Sequence, residues 1–308
     1  MKKQPKFTKS DFNQMIAAKV IASMKTSGAN WVKSWAVPKD QQPKNATTSN
    51  LYQSSNWLNL SIERSIKGYT SGEWATYAQW FAFGGGVKEG KKIIKPSKYN
   101  VKKGEKATKI CFFKKSVKEN KETGELDGFN VFKISNVFNA DQIEGYTPII
   151  EDAQPTEQPD TVFDQVARDV GAVIKHDDLA SAYFVPSKDY CNLPLATQFD
   201  TLEDYAATGF HELTHWTGHE SRLNRDLKNS FGSKDYAREE LVAELGAAML
   251  CGTYGISAEP RADHAKYLNN WIERLEDDPS VITKAATAAN NACLYIEEAS
   301  AEKLGQAA

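Results

Sequence analysis

The stretch HELTHWTGHE, residues 211–220, decides how the second half of the chain is read. It lies in a segment predicted as a helix over Leu202–Thr217. His211 and His215 are four apart, so on a helix both imidazoles project from one face, one turn apart, and can share one ion. Glu212 sits beside the first histidine, where its carboxylate can reach a water on that ion without being a ligand itself. The chain has only five histidines, which makes this arrangement an informative one.

A third protein ligand has to come from elsewhere, and two schemes compete. In the pattern H-E-x-x-H-x-x-G-x-x-H the glycine is present as Gly218, but Ser221 holds the place of the last histidine and His219 falls out of register. That scheme fails. EELVAE, residues 239–244, lies on a second helix predicted over Lys234–Cys251 and puts Glu240 and Glu244 on one face. This resembles the gluzincin plan, in which the first acid of such a pair is the ligand and the second steadies a ligand histidine. Glu240 is therefore assigned to the metal and Glu244 to the support of a histidine, with Glu239 as the fallback ligand. Two histidines and one glutamate leave a fourth position for water. Zn2+ would lower the pKa of that water from 15.7 to about 7. Glu212 can then take its proton and deliver it to a leaving amine, so the implied reaction is peptide hydrolysis. Spacing does not exclude Mn2+ or another divalent ion. SAYFVPSKDYCNLP, residues 181–194, offers an edge strand for an extended substrate or only a half-buried strand. His219 is expected to cap the helix end; Tyr236 is a packing residue or a donor to an oxyanion.

At 308 residues, with 41% apolar and 25% charged residues, the chain has room for two domains and the make-up of a soluble globular protein. The sequence has no run approaching the roughly 20 apolar residues of a membrane span, and a cytoplasmic location is expected. Cys111, Cys191, Cys251 and Cys293 show no paired spacing, which argues against a disulfide framework or a zinc ribbon and for four buried thiols. The net charge of -2 conceals an asymmetry: residues 1–146 carry 25 Lys and Arg against 12 Asp and Glu, a net of +13, and the remainder carries 13 against 28, a net of -15. A basic half suits a polyanion such as nucleic acid. YTPIIEDAQPTEQPD, residues 146–160, reads as the seam. The expected division is a basic domain over 1–146, a linker over 147–160 and a metallopeptidase domain over 161–308.

Phe12, Met15, Ile16, Val20 and Met24 recur at helical steps between a cap at Ser10 and a stop at Gly28. Further helices are predicted over Asn56–Ile66 and Thr76–Ala82, the latter broken by Gly84, Gly85 and Gly86. KATKICFFKK and GFNVFKISNVFN, residues 106–115 and 128–139, read as strands joined by a polar turn. Past the seam come a short helix over 161–171, a strand over 172–176, and helices over Arg261–Glu276 and on to about Leu304. The fold class expected is α+β in two domains, an α+β DNA-binding domain and a mainly helical metallopeptidase domain with a small sheet.

Trp31, Trp35, Trp57, Trp74 and Trp80 all lie in the basic half. Flat rings interleaved with lysines suit single-stranded nucleic acid, although about three of the five are expected in the core. The lysine run from Lys88 to Lys121 is the firmer signal.

NATTSNLYQSSNWLNL, EWATYAQWFAFGGGVKEG, VKKGEKATKICFF and VFNADQIEG together resemble the N-terminal domain of ArdC-type antirestriction proteins, and GFHELTHWTGHESRLNR with YAREELVAELGAAML resembles their metallopeptidase domain. The resemblance implies a plasmid- or phage-borne bacterial protein that binds single-stranded DNA, carries a zincin-like site and protects incoming DNA from host restriction during conjugation. Carried over by motif, Tyr52, Asn56, Trp74, Gln79, Lys103 and Gly104 become DNA-binding candidates, and His211, Glu212, His215 and Glu240 match the metal site. KEGKKIIKPSKYN, residues 88–100, departs from the pattern. DNA-associated proteins are the implied substrates. The alternative is a non-catalytic single-stranded-DNA-binding shield with a structural metal.

Overall fold

Thr8, rather than Ser10, opens the first helix, α1 (Lys9–Ser27). Its Oγ accepts from the Asp11 backbone N–H at 3.2 Å while the Asp11 carboxylate accepts from the Thr8 N–H at 2.7 Å. Two of the orphan donors at the helix start are satisfied reciprocally, which a serine inside the first turn cannot do. Gly28, at φ 55°, closes the helix in a conformation that disfavours side chains. Phe12, Ile16, Val20 and Met24 form the buried stripe that their spacing predicts.

The computed structural model describes residues 7–28, 41–119, 126–148, 159–177, 181–227, 234–256 and 264–306. Residues 149–158 of the seam, Trp31 and Trp35, the turn at 120–125 and the Tyr236 side chain lie outside them.

After α1 come β1 (Lys44–Asn45), α2 (Ser54–Lys67), β2 (Glu73–Thr76), α3 (Tyr77–Phe83), the hairpin β3 (Val87–Glu89) and β4 (Lys92–Lys95), β5 (Asn100–Val101), the long pair β6 (Thr108–Glu119) and β7 (Leu126–Asn139), and β8 (Ile143–Glu144). The main sheet runs β1-β2-β7-β6, parallel only between β1 and β2. This leaves β6 as an edge strand with unpaired backbone groups. Asparagines of α2 satisfy them. Asn56 donates to the Cys111 carbonyl at 2.7 Å and accepts from its N–H at 2.9 Å, and Asn59 donates to the Lys109 carbonyl at 2.8 Å.

The second half contains α4 (Pro159–Asp169), a three-stranded sheet ordered β10-β11-β9 from β9 (Val173–Lys175), β10 (Tyr183–Val185) and β11 (Tyr190–Asn192), then α5 (Leu202–Thr217), α6 (Lys234–Tyr254), α7 (His264–Asp277) and α8 (Ser280–Gln306). The α+β class and the small sheet beside a helical body match the expectation. Glycine sets the spacing between helices: a side chain at Gly209 would run into the Phe163 ring, and one at Gly246 would meet Thr214 Cγ2 at 2.5 Å.

The two halves share a core. Phe12, Ile16, Trp57 and Leu58 are buried in the same cluster as Phe210, Leu241, Leu245, Ala285 and Ala289. Asn13 accepts from the Thr283 hydroxyl at 3.1 Å, and Asn290 accepts from the Ser54 N–H at 3.2 Å. The buried residues of α1 and α2 pack against α8. Cys111, Cys191, Cys251 and Cys293 are free thiols, all buried. Among the described residues no helix is long and apolar enough to cross a membrane.

Candidate metal centre

The helix α5 starts at Thr201, whose Oγ accepts from the Asp204 N–H at 3.1 Å, and ends at Gly218. It packs against α6, where Gly246 allows close approach to Thr214. That approach brings Glu240 opposite the paired histidines. One ligand atom each from His211, His215 and Glu240 fall within 4.8 Å of one another. His211 Nε2 lies 3.6 Å from Glu240 Oε2, and His215 Nε2 lies 3.4 Å from Glu240 Oε1. Ligands about 2.0–2.1 Å from a tetrahedral centre stand roughly 3.3 Å apart, so these separations fit a divalent ion of zinc's size.

Each imidazole has a carboxylate close to its other side, hydrogen-bonded in the case of His215. His211 Nδ1 is 3.0 Å from Glu244 Oε1, and His215 Nδ1 is 3.2 Å from Glu239 Oε1. Carboxylates at Nδ1 favour the tautomer that presents Nε2 to a common point. Glu239 is in turn clamped by Arg225, which donates from Nε at 3.1 Å and from Nη2 at 2.8 Å. Arg225 also donates to the Thr217 hydroxyl at 2.8 Å and the Thr214 carbonyl at 2.6 Å, tying the segment after α5 back to the helix. Arg222 does the same one turn earlier, donating to the Trp216 carbonyl, pairing with Asp189 and lying 3.7 Å above the Trp216 ring.

The charges form a receptor for a cation. Burial would raise the Glu240 carboxyl, but His211 and His215 outweigh it and hold the group far below the usual carboxylate range. Burial likewise opposes ionisation of Glu239, and His215 and Arg225 override it. For His215 burial works against the charged ring, yet Glu239 and Glu240 raise its pKa to about 10. His211, Glu212 and Glu244 are all buried, and Glu212 follows His211 on α5. Burial first, and then the Glu212 carboxylate, push the neighbouring Cys191 thiol up, which keeps that thiol protonated.

Outside this cluster the expected residues fare differently. His219 is not a ligand candidate: its Nδ1 accepts from the Ser221 N–H at 3.2 Å in the turn beyond the helix. Residues 181–194 supply β10, an edge strand of its sheet that packs against α5. Three candidates for DNA contact are occupied inside the fold. Trp74 is fully buried with Leu60, Ile110 and Val137 and meets Tyr69 edge-on, so no base can reach its ring without opening that core. The Asn56 amide is consumed by β6, as described above. Gln79 accepts from the Thr76 N–H at 3.0 Å as the reciprocal partner in the cap of α3. Tyr52 is half-buried, with its hydroxyl accepting from Asn45 at 3.3 Å. Lys103 and Gly104 remain exposed in a turn, with Gly104 at φ 91°. Of the tryptophans described in the basic half, Trp57, Trp74 and Trp80 are all core.

Sequence reasoning passed over Arg222 and Arg225, because an arginine beyond a helix end carries no periodic signal. It also took Glu239 only as a spare ligand.

Comparison with known proteins matches both halves of the chain. Residues 10–138 match the N-terminal domain of anti-restriction factor ArdC, and residues 161–288 match the zincin-like metallopeptidases. Two Escherichia coli proteins named DNA primase TraC are 34% and 33% identical over 90% and 94% of this chain. The chain spans only 26% and 20% of their length. An uncharacterised Sinorhizobium fredii protein, y4eC, is 30% identical, covering 92% of this chain and 90% of its own. The crystal structure of the antirestriction protein ArdC from plasmid R388 in its metal-free form superposes with a TM-score of 0.77 at 33% identity, over 95% of this chain and 98% of that one. Its Mn(II)-bound form gives 0.74 at 33% identity, over 94% and 98%.

Proposed function

Because this chain belongs to the ArdC family of antirestriction proteins, we propose that it binds single-stranded DNA through its basic half and hydrolyses peptide bonds at a divalent metal site, protecting incoming plasmid or phage DNA from host restriction. The observation that supports the peptidase reading best is the pair of 3.4 and 3.6 Å separations between Glu240 and the two Nε2 atoms, with a glutamate behind each ring. His211, His215 and Glu240 hold the metal in this reading, with zinc the first choice. Manganese is a second, because the R388 relative has a Mn(II)-bound form. When bound, the ion supplies Lewis acidity and lowers the pKa of a water to about 7. Glu212 accepts the proton of the attacking water on its carboxylate and passes it to the departing amine. Glu244 and Glu239 keep the rings oriented, and the edge of β10 pairs with an extended peptide. DNA-bound proteins are the natural substrates, since one chain carries both activities. The location consistent with this role is the bacterial cytoplasm.

One observation favours the second reading, a shield with a structural metal: the His215 and Glu240 side chains are each only 12% exposed and that of His211 3%. One variant separates the readings. Glu212→Gln retains metal in both cases and abolishes proteolysis only if the site is catalytic. Metal content and cleavage of DNA-binding proteins, measured with and without single-stranded DNA, decide the matter. Full cleavage by Glu212→Gln removes Glu212 from the mechanism.

A further inference from the structure

The β3–β4 hairpin is a strongly basic exposed feature outside the metal centre. Lys88, Lys91, Lys92, Lys95 and Lys98 stand there against one acid, Glu89. Every residue from Val87 to Pro96 is exposed. Val87, Ile93 and Ile94 are 48%, 53% and 49% exposed, an apolar surface that the chain's own core does not use.

The base of the hairpin is locked. A side chain at Gly84 would collide with Ser97 and Tyr99, and one at Gly86 with the Phe81 ring. Gly84 also accepts from the Lys98 N–H at 3.1 Å. These glycines permit close packing, and they launch the hairpin at a fixed angle from the cluster of Trp80, Phe83, Tyr99 and Tyr146. At the foot, Tyr77 and Phe83 are each 45% exposed. Lys88 Nζ lies 4.9 Å from the Tyr77 ring centroid and 4.4 Å from that of the buried Phe81, so a cation sits beside the exposed Tyr77 ring.

We propose that this hairpin, with Tyr77 and Phe83 at its foot, is the surface that takes single-stranded DNA. Lysines along the two strands meet phosphates, while the two rings and the Ile93–Ile94 edge pack on unstacked bases. The inference rests on the reading that the basic half binds single strands, and it assigns that binding to the exposed lysines and rings of residues 77–98 in place of the buried Trp74. A duplex keeps its bases stacked inside and has no use for the rings, so the chemistry selects a single strand.

The test uses the full chain and a dye-labelled oligothymidine, with anisotropy read across a salt series. Replacing Lys91, Lys92 and Lys95 together by Gln should weaken binding about tenfold or more and lower the log–log salt slope by about 2, near 0.7 for each lost phosphate contact. A control with Lys175, Lys188 and Lys284 replaced by Gln removes the same charge from exposed positions in the second half and should change neither by more than about a third of that. Tyr77→Leu should weaken single-strand binding about fivefold and leave duplex binding unaltered. Equal behaviour of the two lysine triples overturns the assignment. Failure of the wild-type chain to bind at low salt is a separate result and overturns the underlying reading instead.

Discussion

Replacing Arg225 by alanine tests whether the metal centre is held from behind. Arg225 is 11% exposed at its side chain and makes three donor contacts to Glu239, at 3.2, 3.1 and 2.8 Å. Removing one partner of a buried, hydrogen-bonded pair costs about 3–5 kcal/mol, because the other charge is left buried. Glu239 keeps His215 at 3.2 Å as a second partner, so the lower end of that range applies. The variant also loses the bonds to Thr217 and Thr214, and the segment beyond α5 should loosen. Freed of its clamp, Glu239 no longer holds the His215 ring in one orientation, and metal affinity should fall about 10–100-fold. Urea melts of the metal-free protein measure the first effect, and chelator competition the second. A double-mutant cycle with Glu239→Gln should give a coupling of about 1–3 kcal/mol. If the Arg225→Ala protein keeps the wild-type melting midpoint and a metal dissociation constant within twofold, Arg225 is a bystander and the chain Arg225–Glu239–His215 carries no load.

Other outcomes follow from the same geometry. Glu240→Ala should abolish stoichiometric metal binding, checked by elemental analysis after gel filtration, whereas Glu244→Gln should only weaken it by about 10–100-fold. Gly246→Ala should cost about 1–3 kcal/mol, since its new methyl meets Thr214 and pushes α6, with Glu240, off α5; a melt together with metal titration reads both effects. Asp189→Asn should lose up to about 1 kcal/mol at neutral pH, because the paired carboxylate is 40% exposed. The Arg222 bond lowers the Asp189 pKa from 3.8, so the pair stabilises the fold above that pH and its contribution disappears as pH falls through the depressed value. The difference between wild type and Asp189→Asn should vanish in acid. Residues 1–146 expressed alone would expose Phe12, Ile16, Trp57 and Leu58, which the full chain covers with α8, and should bind the apolar dye ANS where the full chain does not.

The candidate metal ligands that the structure brings together were legible in the sequence because their geometry is local. Four residues along α5 fix two rings on one face, and four residues along α6 fix two acids. Covalent spacing and helical pitch do the work before any tertiary contact forms. The same holds for α1, whose apolar period marks its buried stripe, although its start slipped from Ser10 to Thr8 because a cap depends on reciprocal bonds that spacing alone does not reveal. Only the packing of α6 on α5 could decide that Glu240 faces both rings while Glu239 and Glu244 stand behind them. A motif can rank the three acids of residues 239–244, but a separation of 3.4 Å across two helices needs the close approach that Gly246 permits at Thr214. Tertiary structure also decided which of the tryptophans fill the core, where about three of five were expected. Composition cannot tell a tryptophan that stacks on a base from one that fills a core, because both need the same large flat ring. Burial separates them, placing Trp57, Trp74 and Trp80 inside and leaving Tyr77 and Phe83 at the foot of the lysine hairpin. Local chemistry is written in the chain; which side of a surface each residue occupies is settled by what packs against it.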